Sequence, residues 1–260
     1  MSNVVLKCVD LGIVFGGLAA VNDFDIEVHE REIAGLIGPN GAGKTTVFNL
    51  LTKVYEPTSG EIFLNGESTA KKTTVQLSKA GIARTFQNIR LFNKLTVAEN
   101  VMTAMNQSMH YSLLEAVLRL PRYWKEEKEA REKALDLLSI FDMQGMADVK
   151  AGSLPYGAQR RLEIVRALAT EPSLLLLDEP AAGMNPAETA ELMENIGRIR
   201  DKFGIAILLI EHDMSLVMGI CEGIAVLNYG KIIAKGTPEE IQNNPQVIEA
   251  YLGKQKEDGK

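Results

Sequence analysis

The sequence predicts an α/β fold with a mixed, mostly parallel core sheet, an antiparallel sheet near the N-terminus and an inserted helical region. Residues 174–178 and 205–210 are nearly continuous apolar runs of strand length, separated by a stretch with helical spacing at residues 186–202. Such runs are typical of parallel strands buried on both faces. Residues 24–28 instead alternate apolar with acidic side chains, which indicates an antiparallel strand with one solvated face.

Three further strands are expected in the N-terminal third. Residues 4–9 and 33–37 are short apolar segments, and the second of these has the composition of a buried strand. Residues 61–66 end in the hairpin signal Asn65-Gly66.

The middle of the chain is expected to be helical. Residues 96–154 are rich in Leu, Met, Glu and Lys with helical spacing. Within them, residues 124–141 place charged side chains on one helix face and apolar side chains on the other, namely Ala130, Ala134, Leu137, Leu138 and Phe141. We expect the charged face to be solvated. The polar residues 254–260 are expected to be disordered.

The composition is typical of a globular protein whose net charge gives no overall positive electrostatic potential. The chain has 260 residues, 46% of them hydrophobic, and a net charge of -6 at pH 7. It should therefore not attract nucleic acid, and we expect no nucleic-acid partner. Cys8 and Cys221 lie in separate apolar surroundings, outside any Cys/His cluster. We expect both to be buried thiols in a reducing compartment.

The sequence shows no signal for entering a membrane. Residues 1–10 lack the basic and apolar regions of a secretory signal. No apolar run reaches the roughly 18 residues that a membrane-spanning helix needs. If the protein acts at a membrane, another chain must span it.

The strongest motif is a phosphate-binding loop between the strand at residues 33–37 and the helix that follows. It matches Gly-x-x-x-x-Gly-Lys-Ser/Thr and comprises Gly38, Pro39, Asn40, Gly41, Ala42, Gly43, Lys44 and Thr45, with Thr46 continuing the helix. Backbone N–H groups and the helix N-terminus can approach phosphate oxygens. Lys44 can bridge the β- and γ-phosphates, and the Thr45 hydroxyl can bind Mg²⁺. The motif predicts a nucleoside triphosphate site and leaves the reaction open.

Two adjacent carboxylates indicate which reaction the triphosphate site would catalyse. Asp178 and Glu179 stand at the C-terminal tip of the predicted strand 174–178, the edge at which open α/β sheets bind ligands. Asp178 can hold Mg²⁺ directly or through water, and Glu179 can accept a proton from an attacking water. With the phosphate loop, they predict hydrolysis of the triphosphate.

Three more segments complete a pattern that resembles the nucleotide-binding subunits of ABC transporters, over residues 5–253. Residues 84–87, Arg-Thr-Phe-Gln, resemble the glutamine loop of that family. Residues 154–161, Leu-Pro-Tyr-Gly-Ala-Gln-Arg-Arg, occupy the place of its signature, and residues 210–213, Ile-Glu-His-Asp, resemble its switch-histidine segment. The order of the motifs carries the resemblance.

The resemblance implies the fold of a P-loop NTPase ABC cassette. The whole chain, residues 1–260, would form one ATPase domain. Its ATP-binding core, with the antiparallel β-subdomain, would comprise residues 4–95 and 170–253. The helical subdomain with the signature would comprise residues 96–169.

The resemblance also implies roles for individual residues. Gln87 would reach Mg²⁺ or the attacking water, and His212 would contact the γ-phosphate. Phe15 matches the aromatic residue that stacks on adenine, with a place in the core as the alternative. Gly157, at the start of a helix over residues 158–169, would present N–H groups to the γ-phosphate of ATP held by another subunit.

The cofactors and partners follow from those roles. ATP and Mg²⁺ would be bound between two subunits, in a homodimer or in a heterodimer with a similar ATPase subunit. Integral membrane permease subunits would be the other partners. The protein would lie peripherally at the cytoplasmic face of the plasma membrane.

The family pattern is altered at two places. Pro155 replaces the usual Ser of the signature, so either backbone N–H groups suffice for the contact between subunits or that contact is weaker. Asn185 stands where the family has Asp, which puts its hydrogen bond between subunits in doubt.

These alterations resemble one branch of the family, the LivG-type subunits of branched-chain amino acid importers. The branch is indicated by residues 84–88, 156–157 and 181–186 and by an insert at residues 105–123. The insert is amphipathic, with Leu113, Leu114, Val117, Leu118 and Leu120, and Trp124 close by. We expect most of it to pack within the subunit, contact with a membrane partner being the alternative.

Three other functions fit the sequence less well. An ATPase of lipopolysaccharide export fits less well because of the insert and residues 181–186. A soluble ABC-type ATPase acting on DNA or ribosomes is disfavoured by the single phosphate loop, the absence of sustained heptads and the negative charge. A P-loop kinase would leave residues 154–161 unexplained. The assignment of branched-chain amino acids as the transported solute rests on the resemblance alone.

Overall fold

The computed structural model describes residues 3–107, 109 and 111–252 as two sheets and a set of helices. The strands are β1 (Val4–Phe15), β2 (Leu18–His29), β3 (Ile33–Ile37), β4 (Ser59–Leu64), β5 (Glu67–Ser68), β6 (Ile82–Arg84), β7 (Leu174–Asp178), β8 (Ala206–Ile210), β9 (Gly223–Asn228) and β10 (Lys231–Gly236). The helices are α1 (Lys44–Leu51), α2 (Thr74–Lys79), α3 (Val97–Ala104), α4 (Leu113–Val117), α5 (Pro121–Leu138), α6 (Tyr156–Leu168), α7 (Pro186–Phe203), α8 (Met214–Ile220), α9 (Pro238–Gln242) and α10 (Pro245–Leu252). The predicted tail, residues 254–260, lies outside the described residues.

The larger sheet has the order β10-β9-β3-β8-β7-β6. Its pairs are parallel except for β10, which runs antiparallel to β9. Strands β3, β7 and β8 are buried along their whole length, and alternate side chains enter two separate cores. In β7, for example, Leu175 and Leu177 enter the core shared with α3, α5, α6 and α7, whereas Leu174 and Leu176 enter the core shared with α1 and the smaller sheet. The predicted mixed parallel sheet is therefore confirmed.

The parallel register brings the predicted motifs to one edge of this sheet. Leu36 of β3 and Asp178 of β7 both pair with Ile210 of β8. The segments that follow these three strands, which begin at Gly38, Glu179 and Glu211, therefore lie side by side.

The smaller sheet has the order β2-β1-β4-β5, and its pairs are antiparallel. Phe24, Ile26 and Val28 are buried and Glu27 is exposed, as the alternation predicted. β1 and β2, of 12 residues each, are longer than expected, and their pairing contains register irregularities. The hairpin at Asn65-Gly66 joins β4 to β5.

Between β6 and β7 the described chain is mainly helical, from α3 to α6, with one antiparallel bridge between Thr96 and Lys150. The apolar face predicted for residues 124–141 is confirmed, since Ala130, Ala134, Leu138 and Phe141 are buried. Leu137 is half-buried. The division into subdomains at residues 96 and 169 stays a prediction.

The expectation that the insert packs within the subunit is wrong for most of its apolar side chains. Leu114, Val117, Leu118 and Leu120 are exposed, together with Trp124, whereas Met105 is buried and Met109 packs against the core. The physical reason is that polar groups attach the insert to α5. The Tyr111 hydroxyl donates to Glu127, and the Tyr111 N–H donates to Glu126. The side chain of Leu113 lies outside the described residues.

Cys8 and Cys221 are free, buried thiols, as predicted. Burial raises the pKa of both, that of Cys221 to about 12. Among the helices in the described ranges, none combines the length and the apolarity that crossing a membrane requires.

Candidate nucleotide-binding and active site

The phosphate loop runs from the end of β3 to the start of α1, and its backbone admits only glycine at two positions. Gly38 and Gly43 have φ values of 151° and 107°. A Cβ atom on Gly38 would lie 2.0 Å from the carbonyl oxygen of Leu227, and one on Gly43 would lie 2.8 Å from that of Ala20. The loop is therefore fixed closely against β9 and β2.

The ammonium group of Lys44 lies within the loop that precedes it. Its Nζ donates to the carbonyl oxygens of Gly38 at 2.6 Å and Pro39 at 3.0 Å. Burial lowers the pKa of Lys44, and the charges of Glu179 and Asp178 oppose this shift. The structure thus brings the predicted cation and both predicted carboxylates to one site.

The remaining loop residues keep the arrangement expected of an anion cradle. Thr45 is exposed in the first turn of α1, and Thr46 is half-buried in the same turn. Pro39 is half-buried, Asn40 and Gly41 are exposed, and a Cβ atom on Gly41 would meet nothing within 4 Å. Ala42 is buried and anchors the loop. Exposed backbone N–H groups at a helix N-terminus allow phosphate oxygens to approach closely.

Asp178 is buried at the tip of β7, and both its backbone and its side chain are held by the strand beside it. Its Oδ2 accepts a hydrogen bond of 2.8 Å from Nη2 of Arg84. Its N–H donates to the hydroxyl of Thr85 at 3.2 Å. The carboxylate therefore has a fixed direction.

Arg84 has a structural role that sequence reasoning missed. Its Nη1 donates to Asn49 Oδ1 at 2.8 Å and to Thr52 Oγ1 at 3.3 Å. The guanidinium carbon lies 5.4 Å from the ring centre of Phe48 and 5.2 Å from that of Phe86. Arg84 therefore connects α1, β6 and β7. The sequence shows Arg84 at the start of the glutamine segment, residues 84–87, but does not indicate these contacts.

Glu179 lies directly after β7 in a backbone conformation that is uncommon for any residue except glycine, with φ of 48°. Its Oε2 accepts a hydrogen bond of 3.1 Å from Nε2 of Gln87. Its Oε1 lies 3.9 Å from Nδ1 of the exposed His212. The three residues predicted to be catalytic are therefore brought together, and a strained backbone fits a functional position.

Glu211 is a second residue that sequence reasoning missed. Its fully buried carboxylate accepts hydrogen bonds from the N–H groups of Ala181 at 2.8 Å and His212 at 3.1 Å. Burial raises the pKa of Glu211, and these backbone hydrogen bonds oppose the shift. Glu211 thus ties the segment with His212 to the one that follows Glu179.

Arg160 connects the helical region to the same site. This buried side chain of α6 donates to the backbone carbonyl of Phe86 and, at 2.6 Å, to that of Gln87. It also pairs with Glu163 at 3.0 Å, while burial raises the pKa of Glu163. The sequence showed Arg160 inside the signature segment without indicating these partners.

Gly157 lies in the first turn of α6, which begins at Tyr156, two residues before the predicted start. Pro155 occupies the N-cap and forms no side-chain cap, and the first N–H groups of a helix have no acceptor within it. A Cβ atom on Gly157 would lie 3.1 Å from Oε1 of Glu188.

Asn185 has a role within the subunit. Its Oδ1 accepts hydrogen bonds of 3.0 Å from the N–H groups of Ala187 and Glu188, and so caps α7. Asn is among the strongest N-cap residues, which gives a physical reason for Asn at this position.

Phe15 lies at the end of β1 and is 44% exposed. Its ring makes an edge contact with Tyr55, with 5.2 Å between ring centres. The alternative of a place in the core is therefore wrong. Stacking on adenine stays a prediction.

Comparisons with known proteins agree with this geometry. The family model described as ABC transporter matches residues 21–182, and the one described as branched-chain amino acid ATP-binding cassette transporter matches residues 231–257. The high-affinity branched-chain amino acid transport ATP-binding protein LivG of Salmonella typhimurium is 49% identical over 253 residues, which are 97% of this chain and 99% of LivG. The corresponding protein BraF of Pseudomonas aeruginosa is 46% identical with the same coverage.

The fold also has solved counterparts. The ADP conformation of MJ1267, an ATP-binding cassette of an ABC transporter, matches with a TM-score of 0.83 and 30% identity, and the match covers 96% of this chain and 99% of that one. The motif geometry, the family model and the full-length relatives agree: the chain belongs to the ABC transporter family as an ATP-binding cassette.

Proposed function

We propose that the chain is the ATP-hydrolysing subunit that drives a membrane importer of branched-chain amino acids. The observation that carries the ATPase part is the meeting of Gln87 and His212 at the carboxylate of Glu179, beside Lys44 and Asp178. The solute class is supported by the family match at residues 231–257 and by the names of LivG and BraF.

ATP would be held by the phosphate loop and the aromatic ring of Phe15. Backbone N–H groups of residues 38–45 and the ammonium of Lys44 would contact the phosphates. Phe15 is exposed, and its ring would stack on the adenine. A ring face stacks on any base, so selectivity for adenine from this contact would be weak.

The residues present fit Mg²⁺. Thr45, Asp178 and Gln87 offer hydroxyl, carboxylate and amide oxygens, the donor type that Mg²⁺ prefers. Within the described ranges no group of three or more His, Cys, Asp and Glu side chains could hold a metal ion. One carboxylate with two neutral oxygen donors suits a cation that is also bound by substrate phosphates. When bound, Mg²⁺ would neutralise charge on the phosphates.

Glu179 would act as the general base. Its carboxylate would accept a proton from the attacking water, an effect worth about 10² to 10⁴ in rate. The hydrogen bond from Gln87 would fix the direction of that carboxylate, and His212, 3.9 Å from it, would contact the γ-phosphate. Glu211 holds the backbone of His212 in place.

A second subunit would complete each site. The first turn of α6, with Gly157, would present its N–H groups to the γ-phosphate of ATP bound to the partner. ATP would then hold two subunits together, as a homodimer or a heterodimer, and hydrolysis would release them. The helical region, taken as a subdomain over residues 96–169, would pass this motion through Arg160 and residues 84–87 to permease subunits.

The protein would therefore act as a peripheral subunit at the cytoplasmic face of the plasma membrane. The relatives' names describe transport ATP-binding proteins, and the resemblance places their membrane-spanning partners in other chains. Lipopolysaccharide export is a weaker alternative, because residues 231–257 match the branched-chain family model.

Reconstitution with its membrane subunits tests the proposed solute. The transporter would be placed in vesicles, and ATP hydrolysis would be measured with leucine, isoleucine, valine and a panel of polar and charged amino acids. We expect stimulation by the branched-chain amino acids, with an empty-vesicle preparation and the Lys44→Ala transporter as controls. Stimulation by polar solutes alone would contradict the proposal.

A further inference from the structure

Five large apolar side chains are exposed within eleven residues. Their exposed fractions are 73% for Leu114, 71% for Val117, 65% for Leu118, 41% for Leu120 and 54% for Trp124. We call this set the apolar ridge. Clusters of exposed apolar side chains mark surfaces that contact a protein, a ligand or a membrane.

The ridge stands on formed structure. Ser112 and Glu115 make a capping box at the start of α4, with the Ser112 N–H donating to Glu115 Oε2 at 2.6 Å. The Tyr111 hydroxyl donates to Glu127 at 2.8 Å, and its ring makes an edge contact with Tyr123. The backbone that carries the ridge is therefore held from both sides, and the apolar side chains are presented outward by a folded segment.

The charges around the ridge differ in exposure. The carboxylates of Glu115, Glu126 and Glu127 are half-buried and accept hydrogen bonds from this segment. The basic side chains of Arg119, Arg122, Lys125 and Lys128 are exposed. Two exposed carboxylates lie beside them, Glu129 at 3.9 Å from Lys125 and Glu132 at 3.8 Å from Lys128. Arg119 also lies over the ring of Trp124, 5.9 Å from a ring centre. Among residues 112–132, four basic and two acidic side chains are exposed, so the exposed charge has a basic excess, although the whole chain has a net charge of -6.

We propose that the apolar ridge and its exposed basic side chains dock on the surface of an anionic lipid bilayer. Leu114, Val117 and Leu118 would enter the boundary between headgroups and acyl chains, and Trp124 would lie at headgroup level. The basic side chains would face lipid phosphates. A fluid bilayer accepts a projecting ridge without a complementary groove. The inference rests on the proposed function, which places the subunit beside a membrane.

Trp124 gives a direct measurement, because it is the one tryptophan of the chain. The purified full-length protein would be mixed with vesicles of phosphatidylcholine and with vesicles rich in phosphatidylglycerol. We expect the emission of Trp124 to shift to shorter wavelength with the anionic vesicles, and the protein to sediment with them. Absence of both signals would overturn the proposal.

Two sets of variants separate the apolar from the basic contribution. The triple variant Leu114→Ser, Val117→Ser, Leu118→Ser should lower partitioning into anionic vesicles at least about tenfold, since burial of each side chain contributes to binding. The pair Arg119→Gln, Lys125→Gln should weaken binding and reduce its salt dependence. The control is Val75→Ser with Ile248→Ser, two exposed apolar residues outside the ridge. Equal loss in this control would overturn the proposal.

Whether the apolar ridge contacts lipid or protein is tested separately from the ATPase function. If the triple variant lost capture by permease subunits in detergent but bound vesicles like the wild type, the ridge would be a protein-docking surface and the proposal would be wrong. ATP hydrolysis is measured on the same preparations. Hydrolysis without vesicle binding would overturn the lipid contact alone, whereas loss of hydrolysis in the wild type would contradict the proposed function.

Discussion

At the scale of single residues, the site depends on side chains that have one fixed direction. Glu179 has an uncommon backbone conformation and accepts a hydrogen bond from Gln87. Asp178 is held by Arg84, whose other donors reach Asn49 on α1. Fixed acceptors of this kind do not have to reorganise during the reaction, which favours catalysis.

Arg84 should be needed for both stability and metal use. Arg84→Met leaves the carboxylate of Asp178 buried without its charged partner, so we expect a loss of about 3–5 kcal/mol in the free energy of unfolding. ATP hydrolysis should also need more Mg²⁺, and Arg84→Lys should restore part of both losses. The measurements are urea unfolding and the Mg²⁺ dependence of hydrolysis.

Arg131→Met is the matched control, because it removes the exposed ion pair with Asp148. Exposed pairs contribute about 0–1 kcal/mol. If both variants unfolded at the same urea concentration, Arg84 would not have the connecting role described above.

Lys44→Ala should weaken ATP binding itself. Hydrogen bonds to charged groups contribute about 1.5–3 kcal/mol, which corresponds to a roughly ten- to hundredfold weaker affinity. Isothermal titration with ATP measures this, with Lys79→Ala on α2 as a control outside the loop. Undiminished affinity would remove Lys44 from the phosphate site.

The motif residues could be predicted because each obeys a local rule, whereas Arg84, Arg160 and Glu211 could not. The glycines of the phosphate loop indicate a backbone conformation that only glycine adopts. The partners of Arg84 and Arg160, by contrast, lie 94 and 73 positions away in Asp178 and Gln87. Such contacts exist only once β6, β7 and α6 have packed together, and no short pattern encodes them.

At the scale of elements, the N-termini of the helices determine which backbone N–H groups the site presents to a ligand. Asn185 is the N-cap of α7 and forms a complete capping box, whereas Pro155 is the N-cap of α6 and provides no side-chain cap. The first N–H groups of α6 are therefore open to an external acceptor, which suits the predicted contact with a γ-phosphate. This geometry favours backbone donors over a missing hydroxyl as the explanation for the altered signature.

The substitution Pro155→Ser tests whether backbone donors or a missing hydroxyl explain the altered signature. If backbone N–H groups already make the contact, the rate of ATP hydrolysis should stay within about twofold of the wild type. The measurement is steady-state hydrolysis at saturating ATP, with Ser153→Ala as a control in the preceding turn. A rise of about tenfold or more would show that the hydroxyl was the missing donor.

At the scale of the whole molecule, the parallel sheet brings distant motifs to one edge and places the helical region beside them. The fold could be predicted because fully buried strands read as continuous apolar runs, and β7 and β8 are such strands. The packing of the insert was predicted wrongly for an equally physical reason. An amphipathic pattern shows that Leu114 and Val117 share a face, but it does not show what covers that face.

The central claim is that Glu179 is the base of an ATPase whose site is completed by a second subunit. Glu179→Gln keeps the size of the side chain and removes its ability to accept a proton. Glu194→Gln, an exposed position on α7, is the control.

The decisive measurement follows the rate of ATP hydrolysis and the mass of the particle in the same sample, by phosphate release and light scattering. For Glu179→Gln we predict a rate about 10² to 10⁴ times lower than that of the wild type, together with a dimer that persists in ATP. A variant that hydrolysed ATP near the wild-type rate would contradict the claim.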